Sequence, residues 1–207
     1  MAGLRETKKK NTRKAILEYA EKIFKEKGYS KVKTSEIAKG ANIAEGTLFN
    51  YFSTKGELFV QAVFVDFNLQ TYQIRLPQQV DENILVGEMV SIIDFYIKKM
   101  ASVDKKLVRE YFSIVFSTES SEALVARKSI FHMDEMIIQD SKQLLSQLKN
   151  EYEIIKEFDV DLAVEIIYGC VIKQFMNYIY SDNWEYFELI EEMKKEIQFV
   201  MHGNMLL

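Results

Sequence analysis

Helix breakers and sulfur are scarce in this chain: one proline (Pro77), eight glycines and one cysteine (Cys170) among 207 residues. So few interruptions disfavour a loop-rich β fold and suit long helices, because proline breaks helix interiors and glycine punctuates turns. A lone cysteine excludes an intrachain disulfide, which fits a reducing compartment. The only histidines are His132 and His202, too few to supply a metal cluster readily, and His132 is read as a polar group near a pocket or the surface. No serine stands in a nucleophile elbow and no glycine-rich loop cradles a phosphate, so no catalytic role and no cofactor are expected. No stretch approaches about 18 uninterrupted apolar residues, so no membrane span is expected. The basic, polar start has no apolar signal core, and the chain reads as soluble and cytoplasmic.

What is present is ordinary globular composition, 48% hydrophobic and 28% charged, on a chain long enough for one or two domains with a real core. The net charge of −4 hides an asymmetry. Residues 1–56 hold thirteen Lys/Arg against six Asp/Glu, whereas residues 57–207 hold fourteen against twenty-five. Such a split points to a basic module for a polyanion joined to an acidic module with another task.

Hydrophobic spacing is helical nearly throughout. Ile16, Leu17, Ala20, Ile23 and Phe24 form the stripe of a first helix; Gly28 suits its left-handed C′ position, with Tyr29 placed to pack back. Thr34 is expected to cap a second helix over Ser35 to Gly40 or Ala41. Asn42 tolerates the positive φ of a tight turn, and a short third helix runs from about Ala44 to Phe52. Thr54 and Glu57 open a fourth as a capping box, which should end before Pro77. Five longer helices follow, over about Asp81–Ala101, Val103–Ser117, Ser121–Lys149, Asp159–Tyr180 and Asn183–Met201.

Two short helices across a tight turn are what a helix-turn-helix needs, with the second exposed so that its start can enter the major groove. Ala38 and Ala41 permit close approach, Ile37, Ile43 and Leu48 pin the crossing, and Thr47, Asn50, Tyr51 and Lys55 are left to face outward. The order Thr34, Ile37-Ala38, Gly46-Thr47-Leu48-Phe49, Tyr51-Phe52, Lys55 and Leu58 resembles the TetR (tetracycline-repressor) family of bacterial regulators over about residues 12–60. Three departures stand out. Ala44 replaces a common cap serine, Phe49 replaces a tyrosine and so lacks one hydroxyl contact to DNA, and Asn42 replaces a common glycine.

The resemblance implies an all-α fold of about nine helices. A three-helix DNA-binding domain, residues 1–56, would be joined through the fourth helix to a ligand-binding and dimerisation domain, residues 57–207. It implies phosphate contacts from Thr34, Thr47, Tyr51 and Lys55, and places Ser35, Glu45, Gly46 and Asn50 near base edges, with Glu45 facing a cytosine amine or Asn50 an adenine. Phe49 joins that DNA-binding set. Lys8, Lys9, Lys10 and Arg13 would add backbone or minor-groove contacts, or form a solvated arm.

The second domain is rich in aromatics and methionines at helical spacing, which suits either core or an adaptable apolar pocket. Pocket candidates are Phe95, Tyr96, Met100, Tyr111 and Phe112, and farther on Phe116, Phe131, Met136, Tyr168 and Phe175. The last two helices would pair with their copies as a four-helix bundle, with Ala163, Ile166, Gly169 and Cys170 on one and Phe187, Ile190 and Ile197 on the other. The expectation is a homodimeric repressor on a palindromic DNA operator, released by a small apolar or amphipathic effector.

Overall fold

The computed structural model describes residues 2–64, 71–117, 121–152 and 159–202. Among the described residues there are nine helices and no strand: α1 (Ala2–Lys27), α2 (Thr34–Gly40), α3 (Glu45–Phe49), α4 (Lys55–Val63), α5 (Glu82–Ala101), α6 (Lys105–Val115), α7 (Ser121–Tyr152), α8 (Val160–Tyr180) and α9 (Tyr186–Met201). The chain divides into two compact units. One comprises Met1–Asn68 with Val103–Ile130, the other Leu69–Ser102 with Phe131–Leu207.

In the first unit, α1 packs on α2 and α4, and α2 on α3. Ile16, Ala20, Ile23 and Phe24 of the α1 stripe are buried. Gly28 ends the helix at φ 82, its amide donating to the Phe24 carbonyl at 2.8 Å, and Tyr29 folds back against Phe24 and Phe59. Gly40 marks the close approach of α2 to α1, since a Cβ there would run into the Tyr19 ring. Phe59, Phe64 and Tyr111 extend this core as successive ring contacts, Phe64 stacking on Tyr111 at 4.3 Å. Thus α6 shares a core with the N-terminal helices.

Several boundaries differ from the sequence expectations. The N-cap of α2 is Lys33 and makes no side-chain cap; Thr34 lies inside the helix, and its hydroxyl is turned to Glu45 instead. α3 is shorter than expected because the chain tightens after Phe49, with the Asn50 amide bonding to the Thr47 carbonyl three residues back. Thr54 caps α4 by accepting from the Glu57 amide at 3.0 Å, but Glu57 returns the bond to the amide of Ser53 rather than of Thr54. α4 ends at Val63 with Phe64 as its C-cap, before Pro77 as expected, and residues 71–81 are non-helical.

In the second unit, α5 and α8 each pack along α9. Asp81 caps α5 by accepting from the Ile84 amide at 2.8 Å, and Asp159 caps α8 from Leu162 at 3.1 Å. α9 begins later than expected, at Tyr186, where the Glu188 carboxylate accepts from the Glu185 amide at 2.7 Å. α5 buries a wide stripe through Leu85, Met89, Ile92, Ile93, Tyr96 and Met100 but leaves Phe95 exposed. Among the described residues α8 alone is long and apolar enough to cross a membrane, by length and composition; 44% of that window is buried within the protein. Asp161, Glu165 and Lys173 interrupt it, which is why no uninterrupted apolar run shows in the sequence.

Candidate nucleic-acid interface

The turn between α2 and α3 is built by the backbone. The Ala41 amide donates to Ile37, Asn42 to Lys39 and Ile43 to Ala38, at 2.9, 3.1 and 2.9 Å, with Asn42 supplying φ 55. An asparagine reaches this left-handed region at little cost. Ile37, Ala38, Leu48 and Phe52 are buried beneath the crossing. The outer side carries what burial leaves over: Ser35, Glu45, Gly46, Phe49 and Asn50 are exposed, and Thr34, Thr47, Tyr51 and Lys55 are half-buried at its margin. A shallow hollow of about 350 Å³ lined by Ser35, Lys39, Asn42, Ala44 and Glu45 runs along this side. Nothing in the chain lies within 4 Å of a Cβ built on Gly46, so no internal packing demands a glycine there.

Three of the candidate contact residues, Thr34, Glu45 and Lys55, are held within the chain. The Thr34 hydroxyl donates to Glu45 Oε1 at 2.6 Å, tying the first turns of α2 and α3 together. Lys55 Nζ sits 4.4 Å from the centre of the Tyr29 ring. Partial burial pushes the Lys55 ammonium down from its usual value, and the Glu110 carboxylate counters that. Glu110, on α6, also accepts from the Tyr29 amide at 2.8 Å and from the amide and hydroxyl of Ser30 at 3.3 Å. It therefore fixes the turn after α1 and the ring on which Lys55 rests, a role that no local signal in the sequence marks. Glu110→Ala is expected to cost about 1–3 kcal/mol by leaving that turn's donors unpaired, measured by urea denaturation. Ser30→Ala should stay within about 0.5 kcal/mol.

The basic start of the chain continues α1 as helix from Ala2 rather than forming an irregular arm, with Lys8, Lys9, Lys10 and Arg13 all exposed. Arg13 is anchored by Gln61 and by the Phe52 ring.

The pocket candidates are divided between the units. Tyr111 and Phe112 are buried in the first, where Phe116 is exposed at the end of α6. In the second, Tyr96, Met100 and Phe175 are buried, Met136 and Tyr168 half-buried, and Phe95 and Phe131 exposed. The Tyr96 hydroxyl accepts from the Tyr72 amide at 3.1 Å and donates to the buried Asp140; burial and that carboxylate push its pKa up to about 12. Of the dimer candidates, Ile166, Gly169 and Phe187 are exposed, Cys170 and Ile190 half-buried, while Ala163 and Ile197 are buried in the unit's own core. Leu162, Tyr180 and Phe199, not singled out in the sequence, are 54%, 58% and 83% exposed. His132 is exposed, with Glu135 one turn on at 3.9 Å, and among the described residues no His, Cys, Asp and Glu converge as a metal site.

Residues 16–62 match the family described as bacterial regulatory proteins, tetR family. The uncharacterized HTH-type transcriptional regulator YdeS of Bacillus subtilis is 25% identical over 158 residues, 76% of this chain and 75% of that protein. The fatty acid metabolism regulator protein of the same organism is 21% identical over 189 residues, 91% of this chain and 93% of its own. A TetR transcriptional regulator from Agrobacterium tumefaciens shares the fold, with a TM-score of 0.68 at 14% identity over 95% of each chain. The helix-turn-helix, the family match over it and relatives named as regulators together define a DNA-binding transcriptional regulator. The match to the tetR family thus covers the helix-turn-helix part of the chain, and beyond it the chain is similar to TetR-family regulators in fold.

Proposed function

We propose that this regulator is a cytoplasmic homodimeric repressor that leaves a palindromic operator when a small apolar or amphipathic molecule binds its second domain. Residues 1–56 read the DNA and residues 57–207 bind the effector and the second copy. The observation that carries the DNA-reading half is the outer side of α2 and α3. There, Ser35, Glu45, Gly46 and Asn50 stand exposed over a buried Ile37–Leu48–Phe52 crossing. Polar side chains and an unfilled glycine at the start of a short helix suit a phosphate backbone drawn close and base edges within reach. Thr34, Thr47, Tyr51 and Lys55 flank this patch as phosphate contacts, and Phe49 lies among them.

The effector half rests on aromatic and methionine side chains in both units and on the relative named for fatty acid metabolism, which favours an apolar ligand. The dimer half rests on the exposed apolar side of α8, which carries Leu162, Ile166 and Tyr180.

The test is reciprocity. An operator is selected from a random duplex pool, and any molecule co-purifying with the protein is extracted and identified by mass spectrometry. Effector coupling commonly amounts to about 1–3 kcal/mol. The molecule should weaken operator binding by that amount, and operator should weaken the molecule by the same factor. Identical ligand affinity with and without operator refutes the effector half and leaves DNA binding intact.

A further inference from the structure

Charge is distributed unevenly along α1. From Lys14 to Lys27 the helix carries four cations and three acids. They are laced as ion pairs one turn apart: Lys14 with Glu18 at 3.6 Å, Lys25 with Glu21 at 2.6 Å and Lys22 with Glu26 at 4.0 Å. From Ala2 to Arg13 the same helix carries Arg5, Lys8, Lys9, Lys10 and Arg13 against Glu6 alone. Arg5, Lys8, Lys9 and Lys10 are exposed, and among the described residues none of their side chains has a hydrogen bond or ion pair. The Thr7 and Thr12 hydroxyls are turned back onto the carbonyls of Gly3 and Lys8, at 2.7 and 2.9 Å.

Part of this basic surface lies on the face that the fold buries farther on. Arg5, Lys9 and Arg13 recur every fourth residue, in line with the buried Ile16, Ala20 and Phe24. Arg13 rests on Phe52 and Gln61 at the edge of the body, and residues 5–11 ahead of it are all exposed. These turns gain nothing from burial. Their like charges one turn apart, Arg5 with Lys9 and Lys9 with Arg13, repel, and the first turn holds no acid to meet the helix dipole. A polyanion along the segment reverses each of these effects.

The helical form decides which part of a duplex the segment can meet. With its side chains a helix is about 10–12 Å across, and the minor groove is about 6 Å wide, so the segment cannot enter it as an extended arm would. Under the proposed function the major groove of the half-site is taken by α3. The phosphate backbone beside it remains. Twelve residues rise about 18 Å, roughly half of a duplex turn.

We infer that Ala2–Arg13 is a second DNA-contact element, a cationic helix that lies along the phosphate backbone of the duplex flanking the operator half-site and reads no bases. It rests on the DNA-binding half of the proposed function and lengthens the footprint of that half.

The test titrates the full chain by anisotropy at about 100 mM salt. One duplex is an operator trimmed to its half-sites, and the other adds roughly 10 base pairs, one duplex turn, on each side. Wild type should bind the flanked duplex at least about tenfold more tightly, the yield of one or two phosphate contacts, with a salt slope steeper by about 0.9 per added contact. A·T-rich and G·C-rich flanks should serve equally, because a phosphate contact carries no sequence information. Arg5→Gln, Lys8→Gln, Lys9→Gln and Lys10→Gln together keep good helix formers; they should erase the gain from the flanks and leave affinity for the trimmed operator unchanged. Lys22→Gln with Lys25→Gln, on the ion-paired part of the same helix, should leave the gain intact. Equal binding of both duplexes by wild type, a preference for either flank composition, or a gain that survives in the fourfold variant overturns the assignment. If the trimmed operator is still bound specifically in those cases, the helix-turn-helix reading stands; if no duplex is bound specifically, both fall.

Discussion

Gly169→Glu is expected to turn the dimer into monomers and to abolish specific operator binding in the same variant. Gly169 lies on the exposed side of α8, aligned by helical spacing with Leu162, Ile166 and Tyr180, which are 54%, 46% and 58% exposed. A Cβ at this glycine meets nothing within 4 Å, so the glutamate enters the folded chain without a clash. Leaving glycine behind in a helix interior is favourable by roughly 0.5–1 kcal/mol. The monomer's Tm should therefore be preserved or raised. In a two-fold pairing the same patch faces its copy, and two carboxylates are then brought together and desolvated without counter-ions. Removing an ion's hydration in this way costs several kcal/mol per charge, enough to shift a micromolar dimer to monomer, since each 1.4 kcal/mol is about tenfold. Sedimentation velocity and operator titration should lose dimer and binding together, while Gly169→Ala retains both. A Gly169→Glu monomer that binds the operator with unchanged specificity would falsify the dimer reading.

How far the sequence carried the reading depends on whether a feature is local. The α1 stripe, the left-handed Gly28 and Asn42, and the cap at Thr54 follow from spacing and side-chain chemistry within a few residues. The role of Thr34 is not local: a threonine at a helix start is a good cap in isolation, but here Glu45, eleven residues on, competes for its hydroxyl. Glu110 is farther still, reaching Tyr29 across 81 residues. The pocket candidates show a different limit. α5 and α8 are apolar on several sides, so periodicity cannot say whether an aromatic residue faces core, pocket or solvent. The structure buries Tyr96, exposes Phe95 beside it, and places Tyr111 and Phe112 with the N-terminal helices. The same ambiguity sets the buried Ala163 and Ile197 beside the exposed Ile166 and Phe187 in one expected interface.

Affinity for duplex DNA is expected to fall steeply with salt, and two substitutions should separate charge from sequence reading. Residues 1–56 carry thirteen Lys/Arg against six Asp/Glu. Each phosphate neutralised by one of these cations releases condensed counter-ions, giving a slope of about −0.9 per contact in a plot of log affinity against log salt. Lys55 is a candidate phosphate contact that the fold itself positions, through the Tyr29 ring and, behind it, Glu110. Lys55→Ala should weaken every duplex alike and reduce the slope by about 0.9 per chain, twice that for a dimer on its operator. Asn50 carries no charge and stands exposed at the end of α3. Asn50→Ala should leave the slope unchanged and relax preference at one base pair by about 1–3 kcal/mol if the contact is bidentate. Glu45→Gln is informative between the two: it keeps an acceptor for the Thr34 hydroxyl, which lies 2.6 Å away, while removing the charge, so the α2–α3 crossing survives and only base preference moves. Anisotropy titrations of an operator and a scrambled duplex from about 50 to about 200 mM salt read all three, over a range in which six to ten phosphate contacts weaken binding by about 10³–10⁵. A nearly flat salt dependence would remove the basic module from the DNA interface. A Lys55→Ala variant that loses affinity for the operator alone would move Lys55 from the phosphates to the bases.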